Sequence, residues 1–121
     1  MAGKSYRDLE TWQRAMDLVI DVYEGTKEFP KEETYGLRGQ LRRAAVSIPS
    51  NLAEGQGRES PKEFLRHLSI AYASLCEVET QLLIATRLSY INNATSARLI
   101  NRCGEVGRLI NGLSRAIANR I

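Results

Sequence analysis

From Phe64 to Ala85 the residues Phe64, Leu68, Ala71, Leu75, Val78, Leu82 and Ala85 recur at alternating steps of four and three. At about 100° per residue this spacing gathers them on one face of an α-helix. It is also the spacing with which helices pack side by side at shallow angles. The start of this helix is marked by Ser60 as N-cap, Pro61 at the first helical position and Glu63 placed to bond back to the cap. A second stripe, Leu65, Tyr72, Cys76 and Leu83, widens the apolar face and leaves surface for self-association.

Three further segments show the same period. Leu9, Trp12, Met16, Val19 and Tyr23 predict a first helix over residues 8–28, started by Ser5 and Asp8 as a capping pair and ended by Phe29-Pro30. After a short acidic connection, Leu37, Leu41, Ala44, Ile48 and Leu52 predict a second over 34–56. The third spans 61–89, and Leu99, Cys103, Val106, Ile110, Leu113 and Ile117 predict a fourth over 94–119. No segment alternates with period two. Four long helices with short connections predict an all-α, up-down antiparallel four-helix bundle, a single domain over residues 1–121.

The stretch "LRRAAVSIPSNLAEGQGR" tests this reading, because Pro49 interrupts it and Gly55 and Gly57 follow. As a phosphate loop it fails: no Lys-Ser or Lys-Thr follows the glycines, and Ser60 stands where the dinucleotide fingerprint needs glycine. The spacing instead predicts one helix kinked at Pro49 and stopped at Gly55 or Gly57 by a left-handed C-cap. Ala44, Ala45, Ser47 and Ala53 would permit close helix approach around the bend.

At 121 residues the chain is long enough to bury about two thirds of its unfolded surface. No apolar run resembles a secretory signal or approaches the roughly 20 residues of a membrane span, so a cytoplasmic protein with reduced thiols and no membrane partner is expected. One histidine, His67, and two distant cysteines, Cys76 and Cys103, provide neither zinc spacing nor a Glu-x-x-His pair, so no metal or cofactor is expected. His67 lies between Phe64 and Leu68, where packing is the simpler role than general-base work, and both cysteines fall in apolar patterns that suit inert thiols. A non-enzymatic protein is therefore expected.

Charge is unevenly distributed. The formal net charge is +3, yet residues 1–30 hold four basic and six acidic side chains, and residues 91–121 hold five arginines against Glu105 alone. Arg38 and Arg42 share one face of the second helix with Arg43 beside them, and Arg98 and Arg102 form a similar pair on the fourth. Arginine forks bind phosphate oxygens without reading bases. The same groups could pair with acids on a neighbouring helix or subunit, and for Arg42 and Arg43 both readings stay open.

The stretches "LETWQRAMDLVIDVYEGTKEFP", "YGLRGQLRRAAVSIPSNLAEGQGR" and "EFLRHLSIAYASLCEVETQL" resemble, in order and spacing, the intervening-sequence proteins first noticed as reading frames within bacterial 23S ribosomal RNA genes. The resemblance implies a bacterial, cytosolic four-helix bundle that assembles as a homopentamer, with no known catalytic activity. A related group similar in architecture, the accessory variability proteins of diversity-generating retroelements, binds nucleic acid and a reverse transcriptase. His67 and Ala73 stand where the family usually has an aromatic residue and a glycine, and the likeness fades toward the C-terminus.

The function expected from these readings is an oligomeric bundle that binds RNA or DNA, with Arg38, Arg42, Arg43, Arg58, Arg98 and Arg102 as candidate phosphate contacts. The alternative is a homopentameric protein-protein scaffold without nucleic-acid contact, in which the arginines bind acids across subunits.

Overall fold

The computed structural model describes residues 5–121; residues 1–4 of the expected domain lie outside the described residues. Four helices, α1 (Glu10–Gly25), α2 (Leu37–Gln56), α3 (Pro61–Arg87) and α4 (Asn93–Ala118), follow one another with no strand among the described residues. Each helix packs on its two neighbours in a cycle, α1 on α2, α2 on α3, α3 on α4 and α4 on α1. The direction of packing follows from paired side chains. Gln40 meets Gln81, Ser47 meets Ser74 and Asn51 meets His67, so α2 and α3 run antiparallel. Thr86 meets Ser96 while Leu75 faces Gly107, so α3 and α4 do too. The result is the up-down four-helix bundle.

The core is built largely from the expected faces. Leu41, Ala44, Ile48 and Leu52 of α2, all seven positions of the main α3 stripe, and Leu99, Cys103, Val106, Ile110 and Ile117 of α4 are buried. In α1 the register differs by one residue. Its buried face is Thr11, Ala15, Leu18 and Val22, while Trp12 and Val19 are half-buried and Met16 and Tyr23 exposed. A one-residue step rotates a helix face by about 100°. The smaller set lets α1 settle between α2 and α4, and the bulkier set falls on the shoulder beside α2, where it lines an open groove.

Helix ends also depart from expectation. Ser5 and Asp8 do form the reciprocal cap, with Asp8 accepting from the Ser5 N–H and Ser5 from Arg7, but they close the 3₁₀ turn Tyr6–Asp8 ahead of α1. α1 ends at Gly25, short of Phe29-Pro30, with Thr26 as its C-cap; the Thr26 hydroxyl donates to the Val22 carbonyl at 2.8 Å. α2 continues through Pro49 as one helix and stops at Gln56. Its C-cap, Gly57, is right-handed (φ −74°), and the left-handed residue is Glu59 (φ 61°). The helix is therefore stopped at Gly57, one of the two expected positions, but not by the expected left-handed conformation. Gly55 is buried within the helix, where a methyl group would sit 2.6 Å from His67 Cβ and 3.1 Å from Phe64 Cδ1. It is a packing glycine, required by the closeness of α2 and α3.

Ser60 caps α3 as expected, accepting from the Glu63 N–H at 3.3 Å, whereas the Glu63 carboxylate turns to Arg66. That ion pair and its hydrogen bond hold the Glu63 carboxyl below its usual range. At the opposite end Glu33 joins two turns: one oxygen accepts from the Leu37 N–H at 2.8 Å, opening α2, and the other from the Tyr90 hydroxyl at 3.0 Å.

α3 also corrects the expectation about membrane length. It is long enough to span a bilayer, and an 18-residue window within it reaches a mean hydropathy of 1.2; 44% of that window is buried in the bundle. The rest is a helix apolar on its outer side. From Ser69 to Ile84 it exposes Ile70, Tyr72, Ala73, Cys76, Leu83 and Ile84, and its only charges there are the exposed Glu77 and the half-buried Glu79.

Candidate nucleic-acid interface

Among the six candidate arginines the structure separates two groups. Arg58 pairs with Glu54 one turn earlier at 3.4 Å. Arg98 and Arg102 both reach Asp21 on α1, at 3.8 and 3.4 Å. Asp21 Oδ2 is buried without a hydrogen-bond partner among the described residues, so these guanidinium charges compensate it. Each of the three thus has a carboxylate within ion-pair distance, Arg98 and Arg102 sharing that of Asp21.

The α2 group differs. Arg38 donates to the Thr34 hydroxyl at 2.6 Å and, at 3.5 Å, to the Lys27 carbonyl. Arg42 donates from Nε to the Thr26 hydroxyl at 2.9 Å and from Nη2 to the Tyr23 carbonyl at 3.1 Å, and its guanidinium lies 4.4 Å from the centre of the Tyr23 ring. Arg43 is exposed and takes no hydrogen bond or ion pair among the described residues. Every partner of Arg38 and Arg42 is neutral. The first half of α2 thus carries three positive charges with no carboxylate in ion-pair contact among the described residues, although Glu77 of α3 lines a shallow groove together with Arg43.

Local structure explains the division. Arg42 occupies the C-terminal end of α1, where the last carbonyls lack partners and the helix dipole favours a cation. It completes α1 by a hydrogen bond to the Tyr23 carbonyl, and its position is set by the buried Thr26. Arg43, about 100° further round α2, faces away from that end. Gly39 makes room for it: a methyl group there would lie 3.2 Å from Arg43 Nη1 and 2.8 Å from the Thr34 carbonyl. Around these residues runs a groove of about 410 Å³ lined by Tyr23, Gly39, Arg42, Arg43 and Val46. Val46 also borders a second groove of about 320 Å³ formed by Tyr6, Trp12, Met16, Val19, Pro49, Ser50 and Ala53. The shoulder residues of α1 account for its apolar side.

His67 is buried (3% exposed) but not in apolar surroundings. Its Nδ1 lies 3.0 Å from Asn51 Oδ1, while the Asn51 amide donates to the Ser47 carbonyl at 2.9 Å. Asn51 Oδ1 must therefore accept, and the imidazole carries its proton on Nδ1. Nε2 is left to accept from Arg66 Nη2 at 3.3 Å, with Glu54 Oε2 at 3.7 Å. Among the described residues His67 makes no hydrogen bond to a hydroxyl or thiol, the contact that nucleophile activation requires. Nor do three or more histidine, cysteine or acidic side chains gather in a metal-binding cluster among them.

The two cysteines have separate environments, contrary to the expectation that both pack inside. Cys76 is exposed on the outer side of α3 and Cys103 is buried. Burial, with the charge of Glu79 nearby, pushes the Cys103 thiol up to about 12. Iodoacetamide is therefore expected to spare Cys103 in the folded protein and to modify it only in denaturant. Peptide mapping reads both sites, and labelling of Cys103 in the native state would contradict the packing described.

Sequence periodicity did not single out Gly39, Thr26 or Tyr35. The first two act by size and hydrogen bonding across a helix pair, and Tyr35, 89% exposed, lies outside every apolar stripe. The Tyr35-Gly36 step ahead of an arginine-rich helix is the one local signal.

Comparison with known proteins bears on the fold and the family. A search of curated proteins finds no match. The chain is similar to the crystal structure of a protein of unknown function from the S23 ribosomal protein family of Bacteroides thetaiotaomicron, with a TM-score of 0.80 and 21% identity over 87% of this chain and 95% of that one. At that identity the likeness concerns the fold alone. The model of the 23S rRNA-intervening sequence protein family matches residues 7–112, nearly the whole bundle, and the chain belongs to that family.

Proposed function

We propose that this chain is a non-enzymatic cytoplasmic bundle that works as an assembly of copies and binds RNA or DNA through the first half of α2. The observation that carries the reading is the uncompensated charge of Arg38, Arg42 and Arg43, set against the carboxylate pairing of Arg58, Arg98 and Arg102. Opposed carboxylates would cancel the attraction for phosphate, and neutral acceptors orient a guanidinium while leaving its charge. The α2 arginines are thus the phosphate contacts, and the other three are structural. Affinity for a labelled oligoribonucleotide, followed by fluorescence anisotropy, should fall linearly in log–log form as salt rises. Salt-independent binding, or none at low salt, would sink the proposal.

Self-assembly is supported by the outer side of α3, an apolar surface without a single lysine or arginine between Ser69 and Ile84. Several large apolar side chains exposed on one helix side favour association, although Ser69, Glu77 and Thr80 are exposed among them. Leu83, 53% exposed, sits on it. Leu83→Glu is expected to reduce the mass measured by light scattering while leaving the helical circular dichroism intact. An unchanged mass would place the contact elsewhere. The protein-scaffold alternative predicts that Arg42→Ala with Arg43→Ala breaks the assembly, whereas the nucleic-acid reading predicts an intact assembly with weakened binding.

A further inference from the structure

Tyr35 is the one tyrosine whose ring is not engaged within the described bundle. Tyr6 packs edge-on against Trp12, Tyr23 lies under Arg42, Tyr72 borders Gly107 and Tyr90 bonds Glu33. Tyr35 is 89% exposed, and among the described residues it has no aromatic, guanidinium or side-chain hydrogen-bond partner. Burying an aromatic ring is strongly favourable, so a ring held in water is without the contact to which its chemistry is suited.

Its position connects it to the α2 arginines. The preceding residue, Thr34, accepts a hydrogen bond from Arg38, and the Thr34 carbonyl lies against Gly39 alongside Arg43 Nη1. The turn that presents Tyr35 is thereby fixed to the same surface as the uncompensated charges. Glu33, the nearest acid packed in this turn, is turned inward to the Leu37 N–H and the Tyr90 hydroxyl.

Positive charges on a helix and a free aromatic ring in the turn that leads into it are a combination suited to single strands: phosphates take the charges and an unstacked base lies on the ring. A duplex keeps its bases inside its own stack and offers such a ring nothing. We propose that Tyr35 is a base-stacking platform, so that the nucleic acid held by the α2 arginines is single-stranded. This rests on the nucleic-acid reading above.

The test compares one mixed-sequence oligoribonucleotide, labelled, as a single strand and as a duplex with its complement, at low salt. Wild-type protein should bind the single strand more tightly. Tyr35→Ala should lose roughly tenfold on the single strand and leave duplex affinity unchanged, whereas Tyr35→Phe and Tyr35→Trp should retain binding because stacking needs only the ring. Circular dichroism and light scattering of Tyr35→Ala should match wild type. Equal loss on both strands, no loss on either, or a changed oligomeric state would overturn the role of Tyr35 alone. Failure of the wild-type protein to bind either strand would overturn the nucleic-acid reading and this inference with it.

Discussion

Gly55→Ala is expected to destabilise the bundle by about 1–3 kcal/mol, lowering the melting temperature by several degrees. Helix propensity favours alanine over glycine by about 1 kcal/mol within a helix, so on local grounds the change should stabilise α2. Tertiary packing reverses the sign. The new methyl would lie 2.6 Å from the Cβ of His67, an atom fixed to the α3 backbone, and 3.1 Å from the Phe64 ring. No rotamer change moves a Cβ, so the helices must separate, loosening the partly buried hydrogen bond between Asn51 and His67. Thermal melts followed at the helical signal measure the effect. A melting temperature equal to or above wild type would show that the α2–α3 spacing is softer than the structure indicates.

Arg43→Ala and Arg42→Ala, neighbours in sequence, should separate binding from stability. Arg43 has no hydrogen-bond or ion-pair partner among the described residues, so its removal should leave the stability within about 0.5 kcal/mol of wild type. It should weaken RNA or DNA binding roughly tenfold at low salt and reduce the magnitude of the salt slope by about one. Arg42→Ala should instead cost about 1–2 kcal/mol of stability, because the Thr26 hydroxyl and the Tyr23 carbonyl lose a charged donor at the end of α1. The pair of measurements, melting and a salt series of binding isotherms, decides the assignment. A stability loss at Arg43 equal to that at Arg42 would make both arginines structural and remove the phosphate site.

The two arginines also mark how far the sequence could be read. Their helix, their turn and their approximate face follow from spacing, because helical period is a property of the backbone itself. The same holds for the main stripe of α3, for Leu41 to Leu52 of α2 and for the Ser60-Pro61 start, where each residue acts within its own helix. The one-residue error in α1 has a different origin. Apolar side chains there occupy two adjacent stripes, and hydrophobicity alone favours the bulkier one, Trp12, Met16 and Tyr23. Which stripe turns inward depends on how closely α2 and α4 approach, a distance set by side-chain size on three helices at once.

The same reason accounts for the glycines and for the site. Gly55 and Gly57 carry a strong local stop signal, and only the presence of His67 and Phe64 on another helix shows that Gly55 serves contact. His67 looks like a packing residue in a list of neighbours in sequence, yet its partner Asn51 lies on α2. The amino-acid sequence by itself determined four helices, their order, most of their buried faces and the presence of arginines in pairs. Only the tertiary structure decided what Arg42, Arg98 and Arg102 meet on α1, since Asp21 lies far from Arg98 and Arg102 along the chain, and Thr26 and Tyr23 far from Arg42. Electrostatic compensation acts over a few ångströms of space, and antiparallel packing sets those distances between residues that periodicity treats as unrelated.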